Sequence, residues 1–293
     1  MPDPLSKPAF CNTFSGRVKM WSMLGAIALL TACGGGGGGS TTPAPTPAPP
    51  PTAAPQPAPA PEPEPAKPFR IVCTGQSNML GTNQDTSGQT LEDDEVTIWL
   101  DGWKVSTLYQ KPYRTVTSEF VAPNNLCHWF AIRAHEELER PVEIAFHAVG
   151  GQSIAAWREG EHMWTDLQAK GSIAFEDGEP ADVILWGQGE TDNNWEVEVY
   201  RAEFLDVMDR LKSEPWVSET APVLVMELNP GNQWDQMNAL HSNWNGPEMW
   251  TASGEGLFGD GFAGRYGKIH YSGQSLQEMG YERMWDAWME SQQ

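Results

Sequence analysis

The sequence predicts an α/β fold with a central parallel sheet over residues 68–293. Three observations carry that expectation. Short apolar runs rich in β-branched residues recur along this part of the chain. Longer amphipathic stretches separate them. No internal repeat interrupts the alternation, and the length is that of one domain. This is the pattern of strands covered on both faces by helices.

The elements follow in chain order. Residues 1–32 read as a targeting segment: Arg17 and Lys19 precede the apolar run MWSMLGAIALLTA, which is shorter than the roughly 20 residues that a permanent span needs. The run ends in Leu30-Thr31-Ala32-Cys33, which resembles a bacterial lipobox, so Cys33 is the expected lipidation site. Residues 33–67 read as a tether, six glycines followed by a Pro-rich stretch too poor in apolar residues to fold. A bacterial cell-envelope protein held to a membrane through Cys33 is the expectation, with the face of the membrane left open.

Residues 69–74 (FRIVCT) predict the first buried strand. Residues 142–149 (VEIAFHAV), 181–186 (ADVILW) and 222–228 (PVLVMEL) predict three more. Helical patterns cover 129–138, 196–212 and 275–289. The segment 82–120 is less regular and reads as an excursion with a hairpin.

Charge excludes some functions. The formal charge is −21, and removing residues 1–32 leaves 15 basic and 38 acidic residues. Such a chain repels nucleic acid and anionic lipid head groups, and it argues weakly against a strongly anionic polymer as substrate. After the targeting segment and Cys33, only Cys73 and Cys127 remain. They form either a disulfide, permitted in an exported protein, or two buried thiols. No cysteine or histidine spacing suggests a metal site, and no cofactor is expected.

In a parallel α/β sheet the chemistry gathers beyond the carboxyl ends of the strands. After FRIVCT stands Gly75-Gln76-Ser77-Asn78-Met79. After VEIAFHAV stands Gly150-Gly151-Gln152-Ser153-Ile154, then Trp157. After ADVILW stands Gly187-Gln188-Gly189-Glu190-Thr191-Asp192. Near the C-terminus lies Lys268-Ile269-His270-Tyr271-Ser272-Gly273, ahead of a helix. Taken singly, each block is a turn, cap or polar loop before it is anything else. Together they supply a nucleophile, backbone and amide donors, carboxylates and a histidine, which is the inventory for acyl transfer.

The blocks GQSNM, VGGQSIAAW, WGQGETD and IHYSGQ resemble those of the SGNH-hydrolase superfamily, in its sialate O-acetylesterase-like branch with the family-six acetylxylan esterases. The resemblance spans about residues 69–285. It implies a flavodoxin-like three-layer α/β/α fold and deacetylation of an acetylated carbohydrate. It further implies Ser77 as nucleophile, His270 as general base, and an oxyanion hole from the Ser77 N–H, the Gly151 N–H and the Gln188 side chain. Many relatives carry Asp three residues before the histidine, where this chain has Gly267. The orienting acid is therefore expected to be Glu190, with Asp260 or Asp192 as substitutes.

Trp157, Trp195 and Asp192 are candidate substrate contacts from their places beside the second and third blocks. Trp234, Trp244 and Trp250 fall in a polar stretch that reads as a cleft wall, although core packing is the commoner fate of a tryptophan. Two rival readings stand beside the O-acetylesterase. One is a short-chain carboxylesterase or lipase of the same superfamily. The other is a non-catalytic carbohydrate-binding lipoprotein on the same scaffold.

Overall fold

The structure, a computed structural model, describes residues 66–81, 95–100, 103–106, 113–114, 120–121, 125–230, 234–243, 249–259 and 269–293. The expected targeting segment, Cys33, the tether up to residue 65, Asp260, Gly267 and Trp244 lie outside the described residues. No helix among the described residues is long and apolar enough to cross a membrane.

Strand β1 (Phe69–Gly75) is buried over all seven residues and sits at the centre of a seven-stranded sheet. It pairs in parallel with β6 (Val142–Ala148) on one side and β7 (Val183–Gly187) on the other. Outside β6 lies β2 (Val96–Leu100), also parallel, and β3 (Trp103–Ser106) closes that edge as an antiparallel partner of β2. Outside β7 lie β8 (Val223–Met226) and β9 (Met249–Ala252), both parallel. The strand order is β3-β2-β6-β1-β7-β8-β9. The expected parallel sheet is thus six strands, with one antiparallel strand added at its edge. A separate two-stranded ladder joins β4 (Tyr113–Arg114) to β5 (Phe120–Val121).

Helices cover both faces. On one face α2 (Leu126–Leu138) and the C-terminal pair α6 (Gly273–Glu278) and α7 (Met284–Ser291), joined by a π-turn over Met279–Arg283, pack against Ile71, Cys73, Ile144 and Phe146. On the other, α3 (His162–Ala174), α4 (Val197–Lys212) and α5 (Asp235–Ser242) pack against Val72, Ala145, Ile184 and Trp186. Successive residues of a strand point to opposite faces, so each all-apolar strand feeds both layers. In α4 the buried residues are Tyr200, Phe204, Val207, Met208 and Leu211, one stripe at helical spacing. Helix α2 is capped by Asn125, whose side chain accepts from the Cys127 and His128 N–H groups at 2.9 and 3.3 Å.

Helix α3 and strand β9 escaped the sequence reading for different reasons. Gly171 weakens the helical pattern of α3, yet it is where the Trp216 ring lands: a Cβ there would lie 2.5 Å from that ring. Strand β9 is a four-residue edge strand with three of its residues only half-buried. Cys73 and Cys127 are joined as a disulfide that ties β1 to α2 across 54 residues, which settles the open alternative.

The chain passes from β6 to β7 across β1, so the strand order reverses at the carboxyl end of β1. Open α/β sheets bind ligands at such a reversal.

Candidate active site

Gly75 ends β1, and Gln76 turns the chain, its N–H donating to the Gly187 carbonyl at 2.8 Å. Only glycine fits at 75, because a Cβ would lie 2.2 Å from the Gly187 oxygen. Ser77 then opens the four-residue helix α1 (Ser77–Leu80), which Gly81 closes in the left-handed region at φ 74°. Ser77 is thereby set at the strand reversal, 8% exposed.

Ser77 lines a cavity of about 330 Å³. Gln76, Gly150, Gly151, Glu190 and Thr191 line it too. Trp234, Ile269 and His270 complete the wall. Gly150 lies directly against the serine, since a Cβ on it would stand 3.8 Å from the Ser77 Cβ. Gly151 has φ +73° and open space where a side chain would be, the conformation and the room that a glycine allows. The fold therefore brings four of the sequence candidates, Ser77, Gly151, Glu190 and His270, to one cavity. A groove of about 410 Å³ between α4 and α5 has no serine, cysteine or histidine among its described lining residues.

Glu190 is buried, and both its carboxylate oxygens are taken by amides. Asn78 Nδ2 donates to Oε1 at 2.6 Å, and Gln76 Nε2 donates to Oε2. Thr191 Oγ donates to the other end of the Gln76 amide at 3.0 Å. Burial pushes the Glu190 carboxyl up to about 7; the nearby Asp192 charge adds to that rise, and the Asn78 hydrogen bond opposes it.

Three other candidates sit behind the cavity wall. The Gln188 amide is fully buried, with Nε2 donating to the Gln152 carbonyl at 3.1 Å and to Asp192, and Oε1 accepting from Tyr200 at 2.8 Å. Both its hydrogens are engaged, so Gln188 holds the glycine loop from behind and, as arranged here, presents no donor to an oxyanion. Asp192 accepts from the Ile154 N–H at 2.8 Å and from the Ser153 hydroxyl, so it too anchors that loop. Trp157 is fully buried, stacked edge-on against Trp186 with its N–H on Thr74 Oγ at 3.1 Å, and shows no face to a sugar. Trp195 is half-buried against the α3–α4 core layer.

Sequence reasoning gave no role to Gln76, Asn78 or Asn229. The first two flank Ser77 inside a block chosen for the serine alone. Asn229 follows β8, where no nucleophile marks the strand end in the sequence. Trp234 was a cleft-wall candidate and is the tryptophan that reaches the cavity, whereas Trp250 lies on edge strand β9. Among the described residues no group of three or more His, Cys, Asp or Glu side chains could hold a metal ion.

A family profile described as carbohydrate esterase, sialic acid-specific acetylesterase matches residues 70–289. The chain belongs to that family. It is thus a carboxylic ester hydrolase of the carbohydrate acetylesterase class. Among curated protein sequences none matches. The esterase is similar in fold to a protein of Arabidopsis thaliana, at 16% identity and TM-score 0.59 over 76% of this chain and 99% of that one. It is similar also to XAC1771, a carbohydrate acetylesterase from Xanthomonas citri, at 19% identity and TM-score 0.52 over 74% of this chain and 55% of that one. NanS aligns at 11% identity and TM-score 0.51, over 77% of the esterase and 99% of NanS. At these identities the likeness speaks for the fold, a flavodoxin-like α/β/α layering.

Proposed function

We propose that this esterase removes O-acetyl groups from carbohydrate by a serine acyl-enzyme mechanism, with Ser77 as nucleophile and His270 as general base. One observation carries the reading: Ser77, the Gly150–Gly151 loop, Glu190 and His270 line the same cavity at the strand reversal. His270 takes the Ser77 hydroxyl proton as Oγ attacks the acetyl carbonyl. The Ser77 and Gly151 N–H groups receive the oxyanion, while Gln188 keeps the loop carrying Gly151 in place. The tetrahedral adduct collapses, and the sugar hydroxyl leaves with the proton from His270. Water, deprotonated by His270, then releases acetate and frees the serine.

Trp234 and Ile269 give the cavity of about 330 Å³ an apolar wall. The match to a carbohydrate esterase family supports the carbohydrate reading over the lipase one. A cell-envelope location, with Cys33 lipidated and residues 33–67 as tether, completes the proposal.

The test is Ser77→Ala. Hydrolysis of acetylated xylo-oligosaccharide and of O-acetylated sialic acid should fall at least ~10³-fold, and fluorophosphonate labelling should vanish. A wild-type chain that does not label would support the non-catalytic binding protein instead. Faster turnover of p-nitrophenyl esters as the acyl chain lengthens would support the lipase.

A further inference from the structure

His270 belongs to a segment gripped by its backbone. Asn78 Nδ2 donates to the Ile269 carbonyl at 3.2 Å, and Asn78 Oδ1 accepts the Tyr271 N–H at 3.0 Å. Asn229 Nδ2 donates to the His270 carbonyl at 2.9 Å. The peptide groups on both sides of the histidine are therefore held by two asparagines from different strand ends, one after β1 and one after β8. Both asparagines are buried, at 1% and 0% exposure. Below them the Tyr271 hydroxyl donates to the Glu227 carbonyl at 2.9 Å.

Asn78 is shared with the acid. The amide that holds residues 269 and 271 also donates to Glu190 Oε1 at 2.6 Å, and Glu190 holds Gln76 from its other oxygen. A side-chain amide has two N–H donors and one carbonyl, and Asn78 uses all three functions here. Its neighbour in the chain is Ser77 itself. One residue thus links the nucleophile helix, the buried carboxylate and the segment of the base.

We propose that Asn78 and Asn229 are positioning residues that set His270 against Ser77 by clamping the backbone of residues 269–271, and that Glu190 acts on the histidine through Asn78. The inference rests on the serine-esterase reading above. The two asparagines hold the main chain on both sides of the histidine. The constraint comes through the main chain, from two buried side-chain amides. Misplacing a general base by a fraction of an ångström lowers the rate of chemistry and leaves ground-state binding intact.

The test is a double-mutant cycle on p-nitrophenyl acetate, with labelling of Ser77 by a fluorophosphonate as second readout. Asn78→Ala should lower kcat about 100-fold and Asn229→Ala about tenfold, with KM within about twofold of wild type. A residue that acts only through His270 has nothing left to position once that side chain is gone. In the His270→Ala background each asparagine substitution should therefore change the residual rate by less than about twofold. Melting temperatures identify the folded variants; if Asn78→Ala does not fold, the smaller polar change Asn78→Ser replaces it, and Asn229→Ala runs the same cycle independently. An active wild type whose asparagine variants keep kcat, or lose as much again on top of His270→Ala, overturns the clamp alone. A wild type that neither hydrolyses the ester nor takes up the probe overturns the esterase reading and the clamp with it.

Discussion

Burying Glu190 takes a carboxylate out of water, and two amide hydrogen bonds replace only part of its hydration. Burial raises its pKa from an ordinary 4.5 to about 7 in the fold, where Asp192, Tyr200 and Tyr271 face it. Between those pH values the folded chain binds more protons at this site than the unfolded chain. Stability from this group is therefore greatest below pH 4.5 and falls as pH rises to 7, by on the order of 3 kcal/mol in all. Glu190→Gln cannot ionise. Its melting temperature should start lower, since an amide N–H then meets Gln76 or Asn78, and the gap to wild type should close between pH 4.5 and 7. A constant gap across that range would refute the raised ionisation. The residues legible in advance are those whose place in the chain decides their position, Ser77, Gly151 and Glu190 just after a strand and His270 just ahead of the C-terminal helices. Gln188 was legible as a site residue but not in its role. The direction of its amide is set by Tyr200, which lies on α4 twelve residues on and offers no local signal.

At the scale of elements, β1 is the axis on which the site is built. It leads into Ser77, pairs with the two strands that run into the glycine-bearing loops, and is stapled to α2 through Cys73–Cys127. Closing 54 residues of chain stabilises the fold by about 4 kcal/mol in the chain-entropy description, with 2–4 the usual range. Cys127→Ser should lower the midpoint of urea unfolding by a corresponding amount, and wild type in reductant should match it; an unchanged midpoint would mean the bridge contributes nothing. Gly75→Ala is a more severe change, because the new methyl would stand 2.2 Å from a backbone oxygen of β7. It should force the two central strands apart and leave little soluble folded protein, as judged by circular dichroism and yield. The central strands were legible because their apolar runs are continuous. Helix α3 and strand β9 were not, since tertiary partners stabilise them: Trp216 fills the groove at Gly171, and pairing to β8 holds a strand only four residues long.

For the whole molecule, the surface field bears on which sugar carries the ester. The chain has a formal charge of −21 and an isoelectric point near 4.5. A field of that sign opposes the approach of an anionic substrate and leaves a neutral one unaffected. Salt shortens the reach of the field, from a Debye length of about 30 Å at 0.01 M to about 8 Å at 0.15 M. The two candidate substrates differ in charge: an O-acetylated sialic acid carries a carboxylate and an acetylated xylo-oligosaccharide carries none. Raising the salt over that range should increase kcat/KM for the acidic sugar roughly threefold and leave the neutral one within experimental scatter. A flat response for both would mean that the cavity is shielded from the net charge. Then the apolar wall of Trp234 and Ile269, not the surface, would decide between the sugars. A threefold response confined to the acidic sugar would place the neutral acetylated glycan as the substrate this surface favours at low salt.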